Sequence, residues 1–199
     1  MKTLAGVFLA LLFSISIGAH ADNWDINYCK DLTASDFSAA AKSSFARRRY
    51  EIESDTPDSL IGSQRGAKVE IAMTGPGQIV IQWVTGFAHT TDSWLTNLKE
   101  DMLWNLAGKE EPGELSINWC KDLTEEDFHA VAIWSLEKRN YQIEEDTPSS
   151  LTGSQRGLKV QVAMATPGQI VIRWVPEFGH SSNKWLHRVY RDMTSRLAE

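Results

Sequence analysis

The sequence predicts an α+β fold made of two homologous units. Each unit is an antiparallel meander of four to five strands with two helices packed on one face, in the order β-α-β-β-β-β-α. Two observations carry this. Shifted by 91 residues, the chain falls on itself without a gap, and 46 of 86 positions are identical between 23–108 and 114–199. Within each copy, short runs of alternating apolar and polar residues are separated by tight turn signals, and two further stretches repeat apolar residues every four. Strands joined by such short turns run antiparallel, because parallel neighbours need long crossovers.

The elements follow in order. Trp24, Ile26 and Tyr28, like Leu115, Ile117 and Trp119, alternate with polar residues and predict a short opening strand. Thr33 with Asp36, and Thr124 with Asp127, have the spacing of a helix N-cap and its returning acid. Phe37, Ala41 and Phe45, and Phe128, Ala132 and Leu136, then recur at spacing four, as one face of a helix does. Four strands come next. Tyr50 and Ile52 alternate with Glu51 and Glu53 before an Asp-Thr-Pro turn. Leu60 to Arg65 runs into a turn at Gly66. Val69, Ile71 and Met73 lead to a Pro76-Gly77 turn, which is followed by Ile79, Ile81 and Trp83. Trp94, Leu98, Met102 and Leu106, with Trp185, Val189, Met193 and Leu197, mark the closing helix. On this phasing Trp83, Trp94, Trp174 and Trp185 are expected in the core.

The first residues read differently. Met1-Lys2 gives a positive start, Leu4 to Ile17 carries no charge, and Ala19-His20-Ala21 is an A-x-A cleavage site, so 1–21 is expected to be a secretory signal peptide. An apolar run of that length falls short of the ~20 residues needed to span a bilayer. The boundaries are then 1–21 leader, 22–107 first unit, 108–113 linker (with Glu110, Glu111, Pro112 and Gly113) and 114–199 second unit. Twenty Lys and Arg against 26 Asp and Glu give a net charge of −6, which offers no electrostatic footprint for nucleic acid.

The arrangement resembles a loose group of small exported bacterial proteins and lipoproteins of unknown function. The resemblance rests on a Y-x-I-E strand (Tyr50 to Glu53), a K-V-x-I strand (Lys68 to Ile71), an I-x-I strand (Ile79 to Ile81) and a closing W-x-x-x-L-x-x-D-M helix (Trp94 to Met102). Counterparts lie at 141–144, 159–162, 170–172 and 185–193. It implies this fold and an envelope location, and no activity. The chain departs from the group in being duplicated and in having no Cys beside the cleavage site.

Chemistry-bearing residues are sparse. Cys29 and Cys120 are equivalent positions, one per unit, and neither has a second Cys nearby, so a redox or nucleophilic thiol is not expected. They either form a disulfide, which requires the two opening strands to meet near a pseudo-two-fold axis, or stay as two small buried thiols. His89 and His180 correspond, but the acid three residues on is Asp92 in one copy and Asn183 in the other. His129 and His187 have no counterpart, so a repeated metal site is not expected. No phosphate-binding loop, G-x-S-x-G elbow or H-E-x-x-H is present, and no cofactor or catalytic residue is assigned.

Three features remain. Arg48 and Arg139 end the first helix stripe, while Asp101 and Asp192 lie close to the stripe of the closing helix, so each pair is expected to join across adjacent helices. The Ser-Gln-Arg-Gly-x-Lys stretch recurs whole, presenting Arg65, Lys68, Arg156 and Lys159. It reads as a turn needing Gly66 and Gly157 at positive φ, or as a basic tip for an acidic group. Trp104 and Trp134 face Ser195 and Ser43 in the self-alignment. They fall at about 280° and 240° from the start of their helix stripes, outside the apolar faces, and so point to a unit boundary or a partner. The expected function is that of a soluble, exported (periplasmic or secreted) non-enzymatic binding or structural module with an envelope partner. An inhibitor or immunity protein, and an enzyme with its site between the units, are the alternatives.

Overall fold

The computed structural model describes residues 23–84, 92–175 and 183–199; the leader expected over 1–21, and His89 and His180, lie outside the described residues. The first unit runs β1 (Asn23–Asn27), α1 (Ala34–Arg48), β2 (Glu51–Asp55), β3 (Ser59–Gln64), β4 (Ala67–Gly75), β5 (Gln78–Trp83) and α2 (Asp92–Ala107). After β6 (Gly108–Glu111) the second unit repeats the order as β7 (Glu114–Asn118), α3 (Glu125–Lys138), β8 (Gln142–Thr147), β9 (Ser150–Gln155), β10 (Leu158–Thr166), β11 (Gln169–Trp174) and α4 (Lys184–Leu197). The fold is α+β, with two antiparallel sheets ordered β1-β5-β4-β3-β2 and β6-β7-β11-β10-β9-β8. In each, α1 or α3 carries the chain across the sheet, so the opening strand pairs with the last strand of the meander rather than with the next in sequence.

The helix starts follow from the capping residues. Thr33 accepts from the Asp36 amide at 3.1 Å and donates its hydroxyl to the Asp36 carboxylate at 2.6 Å; Thr124 and Asp127 repeat this at 3.1 and 2.7 Å. Phe37, Ala41 and Phe45 of α1 lie fully buried against Leu60, Val69, Ile71, Ile79 and Ile81 of the sheet, with Leu95, Leu98 and Met102 of α2 beside them. Phe128, Ala132, Leu136, Leu151, Val160, Val162, Ile170 and Ile172 build the second core in the same way.

Three expectations are corrected. Trp83 and Trp174 are buried, but Trp94 and Trp185 are only half-buried, and the core stripe of each closing helix begins one residue later, at Leu95 and Leu186. The Trp94 ring lies 6.3 Å from the rings of Trp83 and Tyr50, at the rim of the core. Ile52 is 43% exposed although Tyr50 is buried, since β2 is the outermost strand of its sheet and has no neighbour beyond it to cover the side chain. Residues 108–113 are not a free linker. Gly108–Glu111 pairs with β7 through a Pro112-Gly113 turn in which Gly113 sits at φ +80°, a conformation that glycine reaches without a Cβ penalty.

Candidate functional site

The units meet along a pseudo-two-fold axis marked by equivalent residues that touch. Cys29 and Cys120 form a disulfide with their Cα atoms 5.3 Å apart. Beside them Tyr28 and Trp119, again equivalent, pack edge to face at 5.2 Å. The Tyr28 hydroxyl donates to the carbonyls of Leu106 (2.8 Å) and Asn118 (3.0 Å), tying its strand to the end of α2 and to the second unit. Within each unit the end of the opening strand lies against the turn that holds Gly77 or Gly168, both at positive φ. A Cβ at either would run into the carbonyl of Cys29 or Trp119, whose strands hydrogen-bond to these glycines through Tyr28 N (2.8 Å) and Trp119 N (2.5 Å).

A cleft of about 270 Å³ opens between the units, lined by Arg47, Arg48, Glu100, Asp101, Trp104, Glu110, His187, Tyr190 and Arg191. Trp104 lies in this boundary, 4.8 Å from the Tyr190 ring and 5.3 Å from His187. His187 contacts Glu110 at 3.2 Å, and Asn183 donates to the same carboxylate at 3.0 Å, which holds Glu110 below the usual carboxylate range. Burial raises the Tyr190 phenol above its ordinary range. Among the described residues of the lining, the His187 imidazole has Glu110 beside it and no Ser, Thr or Cys.

Arg48 and Arg139 meet Asp101 and Asp192 through Nε, with Arg139 Nη2 adding a second bond at 2.9 Å, so each α1-type helix is pinned to its closing helix. Arg47 and Lys138 join the same carboxylates at 3.4 and 2.9 Å. Both Asp side chains are nearly buried, so the pairs fix helix register.

The repeated polar stretch is a hairpin tip. Arg65 and Gly66, like Arg156 and Gly157, both sit at positive φ, the geometry of the two-residue hairpin turn that follows strand twist. Gln64 and Gln155 donate through Nε2 to the Arg48 and Arg139 carbonyls at 2.6 Å, capping the α1 and α3 ends. Lys68 pairs with Glu53, and Lys159 with Glu144 at 2.6 Å, which lowers both glutamates. Of the four basic residues expected at the tip, Arg65 and Arg156 are the exposed ones.

In the second unit the tip completes a basic pocket of about 250 Å³, lined by Lys138, Arg139, Asn140, Tyr141, Gln155, Arg156, Trp185 and Arg188. Four cations from three elements converge there. The Arg188 guanidinium stacks 4.9 Å over the Trp185 ring, which fixes a long side chain. Behind them the Tyr141 hydroxyl and Gln155 Oε1 are closed off from solvent without a hydrogen-bond partner among the described residues. Burial, opposed by Arg188 and Arg139, raises the Tyr141 phenol.

Trp134 does not lie at the unit boundary. It is 37% exposed, with Lys138 Nζ at 4.3 Å and the Arg196 guanidinium at 5.7 Å from its ring. It lines a cleft of about 440 Å³ with Trp119, Asp122, Leu123, Asp127 and Arg196, and the equivalent cleft of the first unit, about 500 Å³, has Ser43 and Asn105 at those two positions. Ser43 donates to Asn105 Oδ1 at 3.2 Å, so a neutral hydrogen bond in one copy is a cation–aromatic contact in the other. His129 contacts Asp146 at 2.5 Å.

Among the described residues, no three His, Cys, Asp or Glu side chains gather as a metal site, and no helix is long and apolar enough to cross a membrane. Sequence reasoning missed Arg188, Trp185 and Tyr141 as neighbours of the tip. The run of basic residues at Lys138-Arg139 was the one available signal, and it reads first as a favourable helix C-terminus. Comparison with protein families, with curated proteins and with solved structures finds no match to this chain.

Proposed function

We infer that this chain is an exported, non-enzymatic binding module of the cell envelope or its surroundings, and that the basic pocket of the second unit takes an anionic group. The observation that supports this is the convergence of Lys138, Arg139, Arg156 and Arg188 on one pocket in a chain of net charge −6. Asp192 neutralises part of that charge through Lys138 and Arg139, leaving Arg156 and Arg188 as the groups that meet a ligand. Guanidinium groups bind carboxylate and phosphate in a planar fork, and a stacked guanidinium is already oriented for it. The Cys29–Cys120 disulfide suits an oxidising compartment. The A-x-A leader supplies the export signal.

The test is thermal unfolding with inorganic phosphate or glucuronate at millimolar concentration, each against a neutral sugar at matched ionic strength. Binding to the folded state raises Tm by mass action. Arg188→Ala and Arg156→Ala are expected to weaken the anion effect about tenfold without lowering Tm in its absence. Equal shifts with the neutral sugar, or no shift with either anion, would remove the reading. Cell fractionation that leaves the chain in the cytoplasm with residues 1–21 attached would remove the export part.

A further inference from the structure

The two opening strands differ at their outer edges. In the second unit β6 lies along β7 in the register Gly108 to Ile117, Lys109 to Ser116, Glu110 to Leu115 and Glu111 to Glu114. β1 is the counterpart of β7, yet it is the outermost strand of its sheet, and nothing pairs with its outer side along Asn23–Ile26 among the described residues.

The approach to that edge is already built. The chain leaving α2 at Ala107 turns directly into β6, and the chain leaving α4 at the equivalent Ala198 arrives at β1. There the Ala198 carbonyl accepts from Asn27 N at 3.0 Å, and Asn27 Nδ2 donates to Ala198 O and Glu199 O at 3.3 Å. Backbone groups of a strand face its two neighbours alternately, so the outward bond of Asn27 places the amides and carbonyls of Asp25 and Asn23 outward as well. Trp24 and Ile26 face the core, with Lys99 Nζ 5.1 Å over the Trp24 ring.

We propose that the outer edge of β1 is a strand-addition site that takes an extended segment of a partner protein, antiparallel, with a basic residue opposite Asp25. The internal precedent is β6 on β7, where Lys109 occupies the place opposite Ser116, the counterpart of Asp25. Main-chain hydrogen bonds supply the attraction and the exposed Asp25 supplies the selection. A second copy of this chain is the wrong occupant. Two β1 strands paired over their full length would set Asp25 against Asp25, and like charges directly opposite are unfavourable.

The experiment is an amide-resolved titration of the full chain with a synthetic peptide of the sequence of residues 104–113. A control peptide has Glu in place of its Lys. The expected result is perturbation and slowed hydrogen exchange at the Asn23 and Asp25 amides, with the Lys peptide binding at least threefold more tightly. Asp25→Lys is expected to reverse that order. Asp25→Pro, which removes the outward N–H, is expected to abolish binding of both peptides while exchange at Val80 and Gln82 in β5 stays slow. Equal affinity for the two peptides, shifts confined to residues outside β1, or concentration-dependent dimerisation that protects the same amides without peptide would each overturn the proposal.

Discussion

Glu100 and Arg191 occupy the same position of the two copies, 91 residues apart, and meet each other across the unit boundary, with Arg191 Nη1 3.2 Å from Glu100 Oε2. Cys29 with Cys120 and Tyr28 with Trp119 do the same. Contacts of a residue with its own equivalent are the signature of a two-fold interface, here contained in one polypeptide. A symmetric pair of first units would set Glu100 against Glu100, and a pair of second units Arg against Arg. Divergence at this one position therefore favours the tandem over either symmetric pairing.

The Glu100–Arg191 pair is partly exposed, so its worth is small. Glu100→Arg is expected to lower stability by about 0.5–1 kcal/mol, and adding Arg191→Glu to restore most of it. Urea unfolding of the four members of the cycle measures this, and strict additivity would mean that the two side chains do not interact.

The disulfide closes a 91-residue loop. On chain-entropy grounds its removal by Cys29→Ala with Cys120→Ala is expected to cost ~4–5 kcal/mol. Thiol titration of the denatured, unreduced chain should find no free thiol, and a variant as stable as the parent would show that the tandem is held by packing alone.

All four tyrosines, Tyr28, Tyr50, Tyr141 and Tyr190, are held above their ordinary value by burial, Tyr50 to about 12. A phenol that ionises later in the folded state than in the unfolded one gives stability that is fully present below the unfolded value near 10. That stability is lost as pH rises from there through the folded value. Burial lowers Lys99, which contributes in the opposite sense, since deprotonation relieves its buried charge as pH rises towards 10.5. Lys121 is lowered in the same way, by burial and by Lys30, and four tyrosines outweigh two lysines. Tyrosinate absorbance is expected to stay low past pH 10 and then rise together with loss of helical circular dichroism; an early, gradual rise in the folded protein would contradict this.

Trp104 and Trp134 should separate cleanly. Trp104→Ala opens the unit boundary against Tyr190 and His187 and is expected to cost ~2 kcal/mol. Trp134→Ala removes an exposed ring and should stay within about 0.5 kcal/mol. Acrylamide quenching of the parent and each variant assigns the accessible emission to Trp134, and the reverse order of effects would refute the placement.

Much was legible in the sequence because it is local or repeated. Thr33 with Asp36, the glycine turns and the alternation of Ile79, Ile81 and Trp83 specify their elements from neighbours a few residues away. The offset of 91 reveals the duplication whatever the fold. The Arg48–Asp101 and Arg139–Asp192 pairs were readable because each helix stripe fixes which side faces the other. Ile52 misleads because alternation does not record that its strand lies at the edge of the sheet, and residues 108–113 mislead because Pro, Gly and acid also make a hairpin turn.

The sequence by itself determined the elements that recur in both copies, their order and the identity of the two units, since these depend on periodicity and turn chemistry within short spans; β6 was not among them. Only the tertiary structure decided how the units face each other. Whether Cys29 reaches Cys120, whether Trp104 or Trp134 enters the boundary, and which strand edge β6 covers depend on where two surfaces meet in space. The same holds for Arg156 and Arg188, 32 residues apart in sequence yet lining one pocket. No local pattern carries that information, because the free energy of such contacts comes from groups brought together by the fold rather than by the chain.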